Sequence, residues 1–142
     1  MASTRTSTII GVPVEKVFAY VAEPSNIPEW LVNLGTIADV TGSGVGQHYR
    51  WKYTMIGLPF DGETTVVEHV RNHRLVTESK GGIPSTFTMA FSPHEGGTKL
   101  DVDTEYSIPV PVLGKLAEKL VAKRMQREAE LSAQNIKERL EP

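Results

Sequence analysis

The chemistry open to this 142-residue chain is limited first by its four histidines and its lack of cysteine. Without a thiol there is no disulfide framework, thiolate zinc site, iron–sulfur cluster or cysteine nucleophile. His69 and His73 stand four apart, the spacing that brings two zinc ligands to one helical face, but they bracket a strand–turn boundary where helical geometry does not apply. His48 and His94 fall in polar strand or loop contexts. The sequence therefore predicts no metal site and calls for no cofactor. Gly42, Gly44 and Gly46 are spaced like a phosphate loop. A phosphate site needs a helix N-terminus after the loop, and here a strand follows, so a hairpin connection is expected. Asp101, Asp103 and Glu105 place three carboxylates on one strand face, the pattern of a solvated face rather than a cation site. No serine sits in a Gly-x-Ser-x-Gly context, so a nucleophile elbow is absent too.

The aromatic and thioether residues are the denser signal. Tyr49, Trp51, Tyr53 and Met55 alternate on one face of a strand, Phe87, Met89 and Phe91 on a second, and Tyr106 closes a third. Plain packing between a sheet and a helix accounts for them one by one. As a group they include phenol hydroxyls and an indole N–H, which seek polar partners when buried and suit a partly hydrated cavity. On the residues alone, both readings stand. Arg124 and Glu128 are the other candidates, an i,i+4 pair within a helical apolar stripe. They form either a simple ion pair or, for Arg124, a polar anchor for a carboxylate, phosphate or carbonyl at one end of a cavity.

These residues must be positioned by elements the sequence announces clearly. Residues 4–10 read as a first strand, and Pro13 opens a short helix whose apolar face is Val14, Val17, Phe18 and Val21. Glu23-Pro24 breaks it, and a second short helix or turn follows over residues 25–32. From 36 to 106 the period becomes two, with strands at 36–40, 47–55, 60–70, 75–80, 85–91 and 98–106. Their short connections predict an antiparallel meander with one wet face. Residues 112–140 hold no proline and one glycine, Gly114. Leu113, Leu116, Ala117, Leu120, Val121 and Leu131 form a stripe along one amphipathic helix of about 42 Å.

Composition fits one domain over residues 1–142, with 39% hydrophobic and 23% charged residues. Fifteen basic against 17 acidic residues give a formal charge of −2, which offers nothing to nucleic acid. No apolar run reaches the ~20 residues of a membrane span. The start lacks the apolar stretch of a secretory signal, so a cytoplasmic location is expected.

The order of strand, two short helices, six-strand meander and long helix resembles the helix-grip fold of the START-like (SRPBCC) superfamily, in its polyketide cyclase/dehydrase-like branch. Val12-Pro13-Val14-Glu15-Lys16-Val17-Phe18-Ala19-Tyr20 is similar to the family's first-helix entry, and Ile27-Pro28-Glu29-Trp30 to its second-helix signature. Gly44-Val45-Gly46 before an aromatic strand and Gly96-Gly97-Thr98-Lys99-Leu100 before the last strand also match its habits. The resemblance implies an α+β fold, a curved antiparallel sheet of about seven strands around the C-terminal helix, with Trp30 capping one end of a cavity. It further implies that the cavity takes up an apolar small molecule such as a lipid, polyketide or isoprenoid. Trp30, Tyr49, Trp51, Tyr53, Met55, Phe87, Met89, Tyr106, Leu116, Leu120 and Arg124 are then the expected binding residues. A cyclase, dehydrase or aromatase acting in the same cavity is the alternative, although no residue matches a diagnostic catalytic motif. The oligomeric state stays open, a homodimer included.

Overall fold

The computed structural model describes residues 2–55, 57–108 and 110–142, with side chains of the final helix described from 118 onward. The first strand, β1 (Ala2–Ile10), leads into α1 (Val14–Ala22), a 3-10 turn (Pro24–Asn26) and the single-turn α2 (Ile27–Trp30). Six strands follow: β2 (Leu34–Thr41), β3 (His48–Met55), β4 (Leu58–Val70), β5 (Arg74–Gly81), β6 (Ser85–His94) and β7 (Gly97–Tyr106). The helix α3 (Val110–Leu140) ends the chain. All neighbouring strands are antiparallel, in the order β1-β7-β6-β5-β4-β3-β2. This is the α+β helix-grip arrangement expected from the sequence.

Local chemistry explains the elements. In β3 the alternation sends Tyr49 and Met55 into the interior, leaves Trp51 and Tyr53 half-buried, and turns Arg50, Lys52 and Thr54 to solvent. Pro13 occupies the position before α1 rather than its first turn, and its carbonyl accepts from the Lys16 and Val17 amides. Val17, Phe18 and Val21 are the buried face of α1. Phe18 meets Phe91 edge-on at 5.0 Å and His69 at 5.1 Å, so His69 is an aromatic packing residue.

The two edges of the sheet are closed differently. Beside β1, the Gln126 side chain of α3 accepts from the Arg5 amide (3.3 Å) and donates to the Arg5 carbonyl (3.1 Å). Lys137 donates to the Ile9 carbonyl at 2.8 Å, and Glu141 accepts from the Gly11 amide at 2.8 Å. These side chains satisfy backbone groups that an edge strand otherwise leaves open. Lys137 and the Gly11 amide also hold the Glu141 carboxyl below its usual range. At the far edge, β2 is irregular, with register shifts between Leu34 and Thr36 and between Ala38 and Thr41, which blunts strand-to-strand pairing.

Candidate functional site

Between α3 and the concave face of the sheet lies a cavity of about 140 Å³. Its sheet wall carries Tyr49, Trp51 and Tyr53 from β3, Thr64 and Val66 from β4, Phe87 and Met89 from β6, and Thr104 and Tyr106 from β7. Ile27, Trp30 and Leu31 close the α2 side. The helix contributes Met125, Glu128, Ala129 and Ser132. Of the residues singled out by sequence, Trp30, Tyr49, Trp51, Tyr53, Phe87, Met89 and Tyr106 stand on this wall.

The others do not. Met55 is 2% exposed and packs with Ile83, Tyr106 and Val121 in a neighbouring part of the core. Leu120 is 56% exposed and Arg124 is exposed, so both face solvent rather than the cavity. The side chain of Leu116 lies outside the described residues. In the described part of α3 the inward face is set by Val121, Met125, Glu128, Ser132 and Ile136; of the predicted stripe, Val121 lies on it while Leu120 and Leu131 are exposed. Large apolar residues were the signal used to place that stripe. A helix bordering a cavity uses small and polar ones there instead.

Glu128 makes no ion pair with Arg124; among the described residues it has no salt-bridge partner at all. Its carboxylate accepts from the Tyr53 hydroxyl at 3.0 and 3.2 Å and from the Asn33 side-chain amide at 2.5 Å. Asn33 adopts a left-handed backbone (φ 66°), which asparagine tolerates, and its carbonyl accepts from the Thr54 amide. Two further helix residues hold the same loop. Ser132 accepts from the Val32 amide at 3.0 Å, and Asn135 donates to the Trp30 carbonyl at 3.1 Å. Asn33, Ser132 and Asn135 escaped the sequence reading because contacts 95–105 residues apart leave no local pattern.

The tyrosines report the surroundings. Burial pushes Tyr49 up to about 12 against the opposing hydrogen bond with Thr64. Tyr53 is raised further, by burial first and then by the Glu128 charge and hydrogen bond. Tyr106 is raised by burial and by the same charge, so Glu128 acts on both phenols. Trp51 donates from Nε1 to Thr64 Oγ1 at 2.9 Å, and Thr64 shares a 2.6 Å hydrogen bond with Ser79. Its indole lies over Gly62, its register partner on β4, where a Cβ would fall 2.2 Å from Trp51 Cζ2. Glycine inside a strand marks such a close approach, and that signal was present in the sequence. Trp30 Nε1 and the Tyr106 hydroxyl are buried without a hydrogen-bond partner among the described residues.

The other polar candidates lie elsewhere. Asp103 pairs with Arg5 at 2.9 Å and His48 lies 3.5 Å from Glu63, both at the surface. The Gly42–Gly46 loop enters β3, a strand. No cluster of three or more His, Cys, Asp or Glu side chains among the described residues is arranged to hold a metal. No described helix is long and apolar enough to cross a membrane.

A helix-grip fold around such a cavity defines a class, and the comparisons identify the family. Over residues 1–141 the chain matches the family described as Polyketide cyclase / dehydrase and lipid transport, and it belongs to that family. Its fold is similar to that of TTHA0849 from Thermus thermophilus, with 23% identity, TM-score 0.82 and coverage of 96% of this chain and 95% of that one. CV1439 from Chromobacterium violaceum is 16% identical, with TM-score 0.78 over 100% and 99% of the two chains. Ms6760 from Mycobacterium smegmatis is 16% identical, with TM-score 0.73 over 97% and 90%. A search of curated proteins finds no match.

Proposed function

We propose that this protein binds a small, largely apolar molecule in the cavity beneath α3, for carriage or sequestration. The observation that carries the reading is the aromatic wall of Tyr49, Trp51, Tyr53 and Phe87 facing a cavity of about 140 Å³. An apolar cavity of about 150 Å³ holds one benzene, so the space suits a ring-sized ligand or moiety. A lipid, isoprenoid or longer polyketide exceeds this volume and would extend beyond it. Burying an aromatic ring's ~150–250 Å² at about 25 cal/mol per Å² gives about 4–6 kcal/mol, a Kd between roughly 1 mM and 30 µM. Tighter binding must come from the polar groups. A cytoplasmic location accords with this reading.

A polarity-sensitive fluorophore should bind saturably, at one per chain, and be displaced by small aromatic molecules. Trp51→Ala should weaken it, while Leu120→Glu, on the solvent side of α3, should not. Native mass spectrometry of protein from its own host should show retained ligand mass. Non-saturable fluorescence together with a bare chain mass would overturn the reading.

One observation favours a second reading, a cyclase, dehydrase or aromatase. Glu128 is a carboxylate on the cavity wall with two phenols near it, the components of an acid–base pair. Under that reading a poly-β-keto substrate turns over, and Glu128→Gln abolishes turnover while substrate still binds.

A further inference from the structure

Two buried polar groups on the cavity wall lack partners among the described residues, and both can donate a hydrogen bond. Trp30 Nε1 is a donor only, and Trp30 is 4% exposed; the Tyr106 hydroxyl belongs to a residue 1% exposed. Neither has a hydrogen-bond partner among the described residues, and both side chains stand on the cavity wall. A buried donor without an acceptor is costly, so each is a place where a ligand acceptor gains more than it would in water. Against them stands Glu128, an acceptor-only carboxylate already engaged by Tyr53 and Asn33. None of the described wall residues is Lys, Arg or His. Arg124, the cation that sequence placed here, is on the solvent side.

From this we infer that the cavity selects uncharged molecules bearing a hydrogen-bond acceptor, a carbonyl oxygen above all, and rejects carboxylates and phosphates of the same shape. The inference rests on the ligand-binding reading and narrows it. A ketone offers its oxygen to an unpartnered donor and brings no charge. An anion satisfies the same donor but must shed its water beside Glu128, with no countercharge from the described wall. Free fatty acids, aryl carboxylates and phosphorylated isoprenoids fall in the rejected class. Neutral ketones, esters and quinone-like rings fall in the accepted one.

Three probes of one size separate the possibilities: acetophenone, benzoate and toluene, titrated by ligand-observed NMR at neutral pH. Acetophenone should bind most tightly, with benzoate at least about tenfold weaker, or about 1.4 kcal/mol. Glu128→Gln keeps an oxygen for Tyr53 and removes the charge, so benzoate should come within about threefold of acetophenone. Tyr106→Phe or Trp30→Phe, or both, should weaken acetophenone by more than they weaken toluene. These two variants test the donors even if Glu128→Gln proves unstable. Benzoate binding as tightly as acetophenone would overturn the inference, as would acetophenone binding unchanged in both donor variants, while toluene binding keeps the cavity reading intact. If toluene also fails to bind, the cavity reading falls and the inference with it.

Discussion

Replacing Gly62 by alanine tests whether Trp51 is held in place by the strand beneath it. The added Cβ would lie 2.2, 2.5 and 2.7 Å from Cζ2, Cη2 and Cε2 of the indole. These are atoms of a rigid ring, and ordinary carbon contacts need about 3.5–4.0 Å, so the ring must shift by more than an ångström. That displacement strains the wall by about 1–3 kcal/mol and endangers the Trp51–Thr64 hydrogen bond, a further ~0.5–1.5 kcal/mol. Gly62 is not in the left-handed region, so alanine also gains about 0.4–1 kcal/mol by restricting the unfolded chain. The net loss is roughly 0.5–4 kcal/mol, read as a fall of about 1 M in the urea midpoint at unchanged m. In a Trp51→Ala background the collision disappears and only the backbone gain is left. Gly62→Ala should then stabilise by a few tenths to about 1 kcal/mol, a reversal of sign. Circular dichroism melts of the four proteins complete the cycle, and Gly62→Ala should weaken fluorophore binding in the wild-type background, as the indole enters the cavity, but weaken it no further in the Trp51→Ala background. Equal destabilisation in both backgrounds would refute the account.

Arg124→Ala should change stability by no more than about 0.5 kcal/mol, whereas Glu128→Ala should cost about 1–3 kcal/mol by leaving the Tyr53 hydroxyl only the weak Met125 sulfur acceptor at 3.4 Å. The double variant should equal the sum in urea melts, and a coupling well above about 0.5 kcal/mol would mean that the two charges meet after all. High pH gives the other expectation, because all four tyrosines are raised. An acid raised by folding adds stability in full below its unfolded pKa of about 10, and this is lost as pH climbs through the folded value. Stability should thus fall between about pH 10 and 12, the window set by Tyr20 and Tyr49, with phenolate absorbance rising alongside unfolding. A tyrosine titrating reversibly near 10 in the folded protein would contradict this.

The sheet was legible in the sequence because half-burial writes a period of two into each strand. Tyr49/Trp51/Tyr53/Met55 and Leu100/Val102/Thr104/Tyr106 face as their alternation required. Strand ends at Ala2, Leu34, Leu58 and His94 extend two or three residues past the predicted limits, since backbone ladders continue past the last residue of a clear alternation. The helix was legible as an element but not in its rotation. Leu120 and Leu131, 56% and 39% exposed, drew the stripe toward solvent, while Ala129 and Ser132 mark the cavity side. Glu128 was singled out for the wrong partner. Its spacing to Arg124 was visible, but its hydrogen bonds to Tyr53 and Asn33 depend on the fold bringing residues 75 and 95 positions away beside it.

Those long-range bonds also explain how a cavity survives under a helix that crosses the sheet. An apolar helix laid on an apolar sheet would settle until side chains interdigitated at the density of a protein interior. Here α3 is secured along its flanks. Gln126, Lys137 and Glu141 tie one side to β1 and the residues after it, and Glu128, Ser132 and Asn135 tie the other to the 30–33 loop and β3. These are directional contacts with fixed lengths, so they hold the helix at a distance as well as hold it on. Between the two rows, α3 presents Met125 and Ala129, which are flexible or too small to fill the gap to Trp51 and Phe87. The same arrangement accounts for the polar character of the site. A helix fastened through its carboxylate and amide side chains brings some of them to the cavity rim, and Glu128, fastened by Tyr53, is the charge on the described cavity wall.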